Sequence, residues 1–474
     1  MKTTQSNTTK NVVVIGAGPV GIAAAAHLIE RGQTPIVLEK GHTVGSAMLE
    51  WGHVQLFSPW KYATDKAVIK LLEKQGWQHP DKEQLPKGRD IVEQYLQPAA
   101  QTPELQSVIK LGVEVTAISK ENHSKHTSTD RDNADYFVHY RDSEGESQII
   151  HADSIIDASG TWSAPNPIGL DGLPVPGEED NSDSIAYGIP DVLNTARKDY
   201  AGKRTLVIGA GHSAINVALE LLKLQGEEKA TKILWGLRKN NLEKLLGGGI
   251  NDELPARGEL GIAAKRAIDS GALELLTGLN VKKIAKVESG LAISIIHEGM
   301  EQTIDVDRIV VATGFRPNLQ MLREVRLDID HIVEAPSILA PLIDPNHHSC
   351  GTVKPHGVEE LTHHDKGFYI VGMKSYGRAP TFLMLTGYEQ VRSIAAELAG
   401  DFDSARRVEL VLPQTGVCSS KKSESATSCC GTEAVEESTS CCAPAKEAIP
   451  EELPSLSAGC CAPAANPQAL SCCG

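Results

Sequence analysis

Residues 11–40 read NVVVIGAGPVGIAAAAHLIERGQTPIVLEK and decide the fold of this 474-residue chain. The stretch begins with an apolar run that predicts a buried strand, passes through a GxGxxG turn into a predicted helix, and ends in a second predicted strand. Gly16 permits a tight turn, Gly18 lets the backbone approach a pyrophosphate, and Gly21 lets the helix pack on the strand. Glu39 ends the second strand, where it is placed to accept hydrogen bonds from a ribose. The stretch therefore predicts a dinucleotide-binding β–α–β unit.

A second copy of this pattern occupies residues 205–239. Its turn reads GAGHSA, with alanine in the place of the third glycine. Its second strand ends on Arg238 and Lys239 and not on an acid. A guanidinium at this place pairs with a 2′-phosphate, which an acid would repel, so the second site is predicted to prefer NADPH to NADH. An ordinary solvated Arg–Lys pair is the alternative interpretation.

Both copies are followed by two further predicted strands that close on a small-residue turn, at Asp157–Gly160 and at Ala312–Gly314. Such internal repetition is typical of a duplicated architecture. We therefore predict an α/β fold with two Rossmann-like, three-layer ββα dinucleotide-binding domains, the second inserted in the first, plus a cysteine-rich tail. The predicted boundaries are 10–165 and 326–412 for the first domain, 166–325 for the second and 413–474 for the tail.

The composition favours small-molecule chemistry. With 41% hydrophobic residues the chain can bury a large core, and a formal net charge of −15 argues against a nucleic-acid partner. The longest apolar run, residues 12–29, is interrupted by glycines and Pro19, so it predicts a strand, a turn and a helix and not a membrane span. No secretory leader is recognisable, and we expect a cytoplasmic protein without a membrane partner.

The cysteines are confined to the end of the sequence. None of the ten precedes Cys350, so residues 1–349 cannot contain a redox-active cysteine pair inside a nucleotide-binding domain. After about Gly416 the composition predicts disorder. Eight tail cysteines form adjacent pairs, at Cys429–Cys430, Cys441–Cys442, Cys460–Cys461 and Cys472–Cys473.

Adjacent cysteines are poor partners for a relaxed disulfide but good thiolate donors for soft species such as Cu(I) or trivalent arsenic. A soft metal or metalloid on the tail is therefore expected, an unselected tail with reactive thiols being the alternative. A further group of potential ligands matches no closed tetrahedral spacing, and we interpret its members as polar loop residues, with no metal in the fold. They are His347, His348, Cys350, His356, His363 and His364.

With both turns identified, the chain resembles the two-dinucleotide-binding-domain flavoproteins, and within them the flavin-containing monooxygenase-like branch, across about residues 11–410. The Ala312–Gly314 turn and the strand at Gly367–Gly372 carry this resemblance. Closer still, WGHVQLFSPW at 51–60, GHSA at 211–214 and GRAPT at 377–381 are similar to flavoprotein monooxygenases encoded with arsenic-resistance genes. The FxGxxxHxxx(Y/F) signature of the branch is missing before the second turn, where YGIPD stands instead.

The resemblance implies FAD at the first turn, NADPH at the second, and O₂ as co-substrate. It implies a flavin C4a-hydroperoxide that transfers oxygen to a soft nucleophile, an arsenical or a sulfur compound. Gln55 and Ser58 are expected to hydrogen-bond the reactive edge of the flavin, and Phe57 and Trp60 to wall it. The alternative for this segment is a packed aromatic loop that contacts no ligand.

The predicted cofactor-binding residues are Gly16, Gly18, Pro19, Gly21, Glu39, Lys40, Val115, Ser159, Gly160, Gly209, Gly211, His212, Ser213, Ala214, Arg238, Lys239, Thr313, Gly314, Gly372 and Lys374. Two other functions stay open. One is an NADPH-dependent flavoprotein reductase that passes electrons to a thiol, disulfide or metal on the tail. The other is a non-catalytic metal- or metalloid-binding protein.

Overall fold

A computed structural model describes residues 10–238, 255–347, 353, 355–379 and 382–410. Within them the strands are β1 Asn11–Ile15, β2 Thr34–Glu39, β3 Ile109–Leu111, β4 Glu114–Lys120, β5 Tyr136–Arg141, β6 Ser147–Ala152, β7 Ser154–Asp157, β8 Ile185–Tyr187, β9 Arg204–Ile208, β10 Lys232–Gly236, β11 Glu274–Leu276, β12 Asn280–Val287, β13 Gly290–His297, β14 Met300–Val306, β15 Arg308–Val311 and β16 Phe368–Ile370. The helices are α1 Pro19–Glu30, α2 Ser46–Glu50, α3 Lys66–Glu73, α4 Gly88–Ile91, α5 Gln97–Ala100, α6 Pro103–Gln106, α7 Arg197–Tyr200, α8 His212–Glu227, α9 Pro255–Asp269, α10 Ala340–Ile343, α11 Met384–Leu398 and α12 Phe402–Arg406.

Two parallel sheets form the centre of the fold. The first has the strand order β16-β7-β1-β2-β3, and the second has the order β11-β10-β9-β15-β8. The strands of the second sheet all lie between residues 185 and 311, whereas the first sheet takes strands from both sides of that range. Each parallel sheet is accompanied by a three-stranded antiparallel sheet, β4-β5-β6 or β12-β13-β14.

The core residues explain why each parallel sheet is covered on both faces. Val12 and Val14 of β1 pack in one cluster with α1 and α11, while Val13 packs with Ile118 and Val138 of the antiparallel sheet. All three valines are fully buried. A strand with alternate residues pointing to opposite faces can be apolar throughout only when both faces are covered.

The second parallel sheet repeats this arrangement. Val207 of β9 packs with α8 on one face, and Leu206 packs with β12 and β13 on the other. The predicted fold, an α/β architecture with two Rossmann-like units, is thereby confirmed. The domain boundaries remain predictions, and the tail from residue 413 lies outside the described residues. No helix among the described residues is long and apolar enough to cross a membrane.

Candidate cofactor-binding site

The first glycine-rich turn has the geometry that a bound pyrophosphate requires. Gly16 has a φ of +95°, and a Cβ on it would lie 2.9 Å from the carbonyl oxygen of Ala158. A Cβ on Gly21 would lie 1.9 Å from the carbonyl oxygen of Gly16, so only glycine allows α1 to pack here. A Cβ on Gly18 would meet nothing within 4 Å, which leaves open space at the N-terminus of α1. These residues fit a dinucleotide phosphate.

Glu39 holds this turn in place through both of its carboxylate oxygens. Oε2 accepts a hydrogen bond of 2.7 Å from the N–H of Ala17, and Oε1 accepts one of 2.8 Å from the N–H of Gly41. Each oxygen keeps a lone pair for a further donor. The position of Glu39 in the sequence predicts a ribose as its partner and gives no sign of this contact with the turn. A ribose contact stays a prediction.

A buried ion pair lies at the carboxyl end of β7. Lys374 Nζ is 2.7 Å from Asp157 Oδ2 and donates a 3.0 Å hydrogen bond to Ser159 Oγ. Ser159 Oγ in turn donates to Asp157 Oδ1 at 2.6 Å. The side chains of Lys374 and Asp157 are 1% and 0% exposed. The ion pair therefore fixes Ser159, whose Cα would be 3.1 Å from a Cβ on Gly16.

Lys374, a predicted cofactor-binding residue, donates to Asp157 and Ser159, and its contact with a cofactor stays a prediction. Gly160 has a φ of +70° and, like Gly18, would place a Cβ in open space. Direct cofactor contacts by Ser159 and Gly160 stay predictions. Asp157 was missed as a site residue, although its position immediately before the small-residue turn was the available signal.

Gln390 in the middle of α11 fixes the turn that begins at Gly372. Gln390 Oε1 accepts the N–H of Gly372 at 2.7 Å, and its Nε2 donates to Ser375 Oγ at 2.9 Å. Nε2 is also 2.9 Å from Nε2 of His356. Because the amide nitrogen can only donate, His356 accepts this hydrogen bond through its Nε2.

His356 and His363 lie outside helices and strands, as the interpretation as loop residues predicts, but both are buried. They are 1% and 8% exposed. Burial lowers the pKa of His363 to about 4, so its imidazole is neutral at physiological pH. Loop position in the sequence did not predict burial because helix α11 covers His356 from a distant part of the chain. His348 and Cys350 lie outside the described residues.

The second glycine-rich turn repeats the backbone geometry of the first, but a different side chain holds it by a hydrogen bond. A Cβ on Gly209 would lie 2.3 Å from the carbonyl oxygen of Ala312, whereas a Cβ on Gly211 would meet nothing within 4 Å. The indole N–H of the buried Trp235 donates to the carbonyl oxygen of Gly209 at 2.9 Å. Ala214 is fully buried beneath the turn. This turn therefore fits a second dinucleotide.

Arg238 follows β10 and carries an unsatisfied donor. Its Nη2 donates to the carbonyl oxygen of Pro167 at 3.2 Å, while its buried Nε has no partner among the described residues. Burial, followed by the nearby Arg378 guanidinium, lowers the pKa of Arg238. A guanidinium beside a like charge and with a buried free donor suits an anion, as the predicted 2′-phosphate would be. Lys239 lies outside the described residues.

The small-residue turn after β15 is held against the 164–168 segment. Thr313 Oγ1 donates to the carbonyl oxygen of Asn166 at 2.9 Å, and the N–H of Asn166 donates to the carbonyl oxygen of Gly314 at the same distance. Gly314 has a φ of +87° and is exposed. This turn thus lies at the end of a strand adjacent to β9. Cofactor contacts by its residues stay predictions.

The segment 51–60 pairs with residues 82–89 and divides its side chains between core and surface. Trp60 is 1% exposed within the core, so its ring is covered by protein and offers no face to a flavin. Gln55 is exposed and its Nε2 is 3.4 Å from the carbonyl oxygen of Leu85, while Ser58 is buried. Phe57 is half-buried and lies 5.3 Å from the ring of His212. The packing thus favours Phe57 over Trp60 as the aromatic side chain that would line the flavin site.

Three polar residues near segment 51–60 and helix α8 were not predicted as site residues: His53, Asp191 and Glu220. Burial lowers the pKa of His53, although Asp191 opposes this, and burial raises the pKa of Glu220 on α8. His53 Nε2 and Glu220 Oε2 are buried without partners among the described residues. No local pattern distinguishes these residues in the sequence, because their environment depends on how α8 lies against segment 51–60.

The remaining predicted residues take ordinary places in this frame. Pro19 is the first residue of α1, Ser213 lies in the first turn of α8, and Lys40 is exposed after β2. Val115 lies on β4 and packs against the core between the two sheets. Val113, two residues earlier, donates its N–H to the backbone of Glu39 at 2.9 Å. Contacts of these side chains with a cofactor stay predictions.

Two parallel sheets, each with a glycine-rich turn open to a pyrophosphate, define an oxidoreductase-type protein with two dinucleotide sites. Residues 13–349 match the family model described as pyridine nucleotide-disulphide oxidoreductase, and the chain belongs to this family. This is a family of FAD- and NAD(P)H-dependent oxidoreductases.

A curated relative and solved structures agree with this assignment. The mitochondrial dihydrolipoyl dehydrogenase of Caenorhabditis elegans is 24% identical over 329 residues, which cover 68% of this chain and 58% of that protein. The chain therefore spans less than two thirds of this relative's length. Activity, substrates and partners are not transferred from it.

Among solved structures, bacillithiol disulfide reductase from Bacillus cereus is 20% identical with a TM-score of 0.59, covering 83% of this chain and all of its own. The FAD-bound cadaverine monooxygenase from Erwinia amylovora is 15% identical with a TM-score of 0.57, covering 88% and 100%. At these identities both show the fold alone. The fold therefore accommodates both reductases and monooxygenases.

Proposed function

We propose that the protein is an NADPH-dependent flavin monooxygenase that oxidises a soft nucleophile, an arsenical or a sulfur compound. The reaction consumes NADPH, a proton, O₂ and the substrate, and it yields NADP⁺, water and the substrate with one added oxygen. FAD, when bound, supplies hydride acceptance from the nicotinamide and activation of O₂. The observation that carries this proposal is the absence of cysteine from residues 1–349.

A reductase that passes electrons from its flavin to a cysteine pair of its own nucleotide-binding domains needs that pair within those domains. Both nucleotide turns lie within residues 1–349, so neither sheet can supply such a pair. The described residues beyond 349 contain no cysteine either. An acceptor from outside the folded core is then required, and O₂ is one that reaches a flavin without a docking site.

The protein's own residues would bind, orient and exclude water. The N-termini of α1 and α8 would each present backbone N–H groups to a pyrophosphate. Phe57 and His212, whose rings are 5.3 Å apart, bring segment 51–60 against the second nucleotide turn. This contact favours a closed path between the two cofactors, as hydride transfer requires. Gln55 and Ser58 remain the proposed hydrogen-bonding groups at the flavin edge.

Oxygen transfer to a lone pair on sulfur or arsenic needs no acid, base and nucleophile set. The adjacent tail cysteines, such as Cys429 and Cys430, are the proposed ligands of a thiophilic substrate. These residues lie outside the described part of the chain, so their contribution rests on the sequence alone. We propose that the tail captures an arsenical, and that the substrate class follows from this capture.

A second candidate function is a reductase that passes electrons to a thiol, disulfide or metal on the tail without oxygenation. It is favoured by the tail cysteines and by the missing FxGxxxHxxx(Y/F) signature. The two functions differ in their need for O₂. A monooxygenase stops in the absence of O₂ after about one equivalent of NADPH per flavin, whereas the reductase continues while a disulfide acceptor lasts.

The deciding experiment measures NADPH oxidation by the full chain with arsenite or a thioether, in air and without O₂. With ¹⁸O₂ we expect one labelled oxygen in the product for each NADPH consumed. A matched variant with all tail cysteines changed to serine should retain the flavin reaction and lose only affinity for arsenite. Anaerobic turnover with a disulfide, lost in the serine variant, would establish the reductase instead.

The proposed preference for NADPH rests on Arg238 and has its own test. Loss of a hydrogen bond to a charged group costs about 1.5–3 kcal/mol, so Arg238→Ala should lower the NADPH-to-NADH ratio of kcat/KM by about tenfold or more. Lys232→Ala, an exposed residue at the start of β10, is the control and should leave the ratio unchanged. An unchanged ratio in Arg238→Ala would refute the assigned role.

A further inference from the structure

Three metal-ligating side chains converge on the antiparallel sheet β4-β5-β6, outside the site described above. Glu121, Asp135 and His151 each offer one ligand atom, and these atoms all lie within 4.8 Å of one another. Glu121 is half-buried, while Asp135 and His151 are exposed. The set combines one imidazole with two carboxylates, so it is not an acidic cluster alone.

The backbone holds these three residues together. Glu121 follows β4 directly, Asp135 precedes β5 directly, and the N–H of Glu121 donates to the carbonyl oxygen of Asp135 at 2.8 Å. His151 on β6 stands opposite Phe137 on β5, with their rings 4.5 Å apart. Residues opposite each other in an antiparallel pair share one face. The ladder therefore places the three ligands on one face without any rearrangement of the main chain.

None of the three side chains makes a hydrogen bond or an ion pair with any described residue. The neighbouring Lys120 does not hydrogen-bond them, because its Nζ donates to the carbonyl oxygen of Ala134 at 2.7 Å and lies 3.7 Å from the centre of the Tyr136 ring; its charge does act on Asp135. Asp153, which follows β6, accepts the N–H of Asn11 at 2.8 Å. Glu121 and Asp135 thus have no hydrogen-bonded counter-ion among the described residues.

We propose that Glu121, Asp135 and His151 bind a divalent first-row transition ion of the Mn²⁺ type, with water completing its coordination. Carboxylate oxygens suit Mn²⁺, and an imidazole suits first-row ions in general, whereas the thiolates of the tail suit soft species such as Cu(I). The two sites are therefore separable by metal. The ion closes the base of the 121–135 connection and joins it to β6. This role is independent of the flavin reaction.

The 121–135 connection also contacts the segment that precedes β16. Arg131 within it forms a buried ion pair with Asp365, with Nη2 2.6 Å from Oδ2. Its Nη1 also donates to the carbonyl oxygen of Ser124 at 2.9 Å. Binding of an ion at Glu121 and Asp135 would stabilise both ends of this connection, because only the folded ladder brings the ligands together.

The test is a titration of Mn²⁺ into the full-length, FAD-loaded protein with its cysteines alkylated, followed by the electron paramagnetic resonance signal of free Mn²⁺. We expect one bound ion per chain. Asp135→Asn and His151→Ala should each weaken binding by about tenfold or more, as loss of a ligand does. His139→Ala is the matched control, since His139 shares the face with Phe137 but lies outside the cluster.

The FAD content and the circular dichroism spectrum of each variant report that the fold is intact. Retention of no Mn²⁺ at millimolar concentrations would overturn the proposal. Equal binding by wild type and both ligand variants would place the ion elsewhere and overturn it as well. Equal weakening in His139→Ala would do the same, because the effect would then belong to the sheet and not to the ligands.

Discussion

The buried Lys374–Asp157 pair makes the most demanding prediction. Replacing Lys374 by methionine removes one partner of an ion pair whose side chains are 1% and 0% exposed. The apolar part of the side chain is retained, but Asp157 and Ser159 Oγ lose their 2.7 and 3.0 Å contacts. Removing one member of a buried pair costs about 3–5 kcal/mol, a large fraction of the about 5–15 kcal/mol stability of a typical protein.

The assay is urea unfolding of the Lys374→Met protein, followed by tryptophan fluorescence and by release of FAD. Lys366→Met is the matched control, because Lys366 forms an exposed ion pair of 2.9 Å with Asp132. An exposed pair contributes about 0–1 kcal/mol. We therefore expect a clear loss of stability in Lys374→Met and almost none in Lys366→Met.

The double variant Lys374→Met/Asp157→Leu separates the ion pair from general packing. Replacing both partners of a buried pair by apolar side chains is often close to neutral, so the double variant should recover much of the stability lost in the single variant. A Lys374→Met protein within about 1 kcal/mol of wild type would refute the reasoning, since that is the range of an exposed pair.

Three further predictions follow from the turns and from a buried histidine. Gly18→Ala should leave the stability of the apoprotein unchanged and lower its affinity for FAD, because the added Cβ would occupy open space that a pyrophosphate would fill. Spectral titration of FAD into the apoprotein measures this affinity. Gly211→Ala should do the same to NADPH while FAD binding stays unchanged, and a loss of stability in either variant would contradict the assignment. Burial opposes protonation of His27, but Asp65 at 3.0 Å outweighs it and raises the pKa of His27 from 6.5 to about 9. This raised pKa contributes about 3 kcal/mol to the free energy of unfolding. The contribution is fully present below pH 6.5 and is lost as the pH rises through about 9. Unfolding measured across that range should show the loss, and His27→Gln should remove the pH dependence.

The parts of this molecule that the sequence predicted are those determined locally. At the first turn the contact of Gly21 with the carbonyl oxygen of Gly16 is local and follows from the spacing, whereas Gly16 also packs against the distant Ala158. The parallel sheets follow from apolar runs alternating with helices. The same reasoning applied to the second turn, although alanine replaces its third glycine.

The parts that the sequence did not predict depend on contacts between distant segments. Lys374 is separated from Asp157 by more than two hundred positions, and nothing near either residue indicates which partner it takes. Trp60 was expected at the flavin because aromatic residues are dense around it, but pairing of segment 51–60 with residues 82–89 turns that ring into the core. His356 likewise became buried through Gln390.

The two nucleotide turns share one backbone design but are fastened by groups of different charge, and this difference bears on cofactor choice. In the first turn a carboxylate, Glu39, accepts the N–H of Ala17 at 2.7 Å. In the second an indole, Trp235, donates to the carbonyl oxygen of Gly209 at 2.9 Å. A carboxylate at the second site would repel a 2′-phosphate, whereas a neutral indole fastens the turn without adding negative charge. In the proposed NADPH complex Arg238 would meet this phosphate, and Glu178 is the acid whose charge also acts on its guanidinium. The absence of an acid at this strand end is therefore compatible with a rigid turn, because Trp235 performs the fastening.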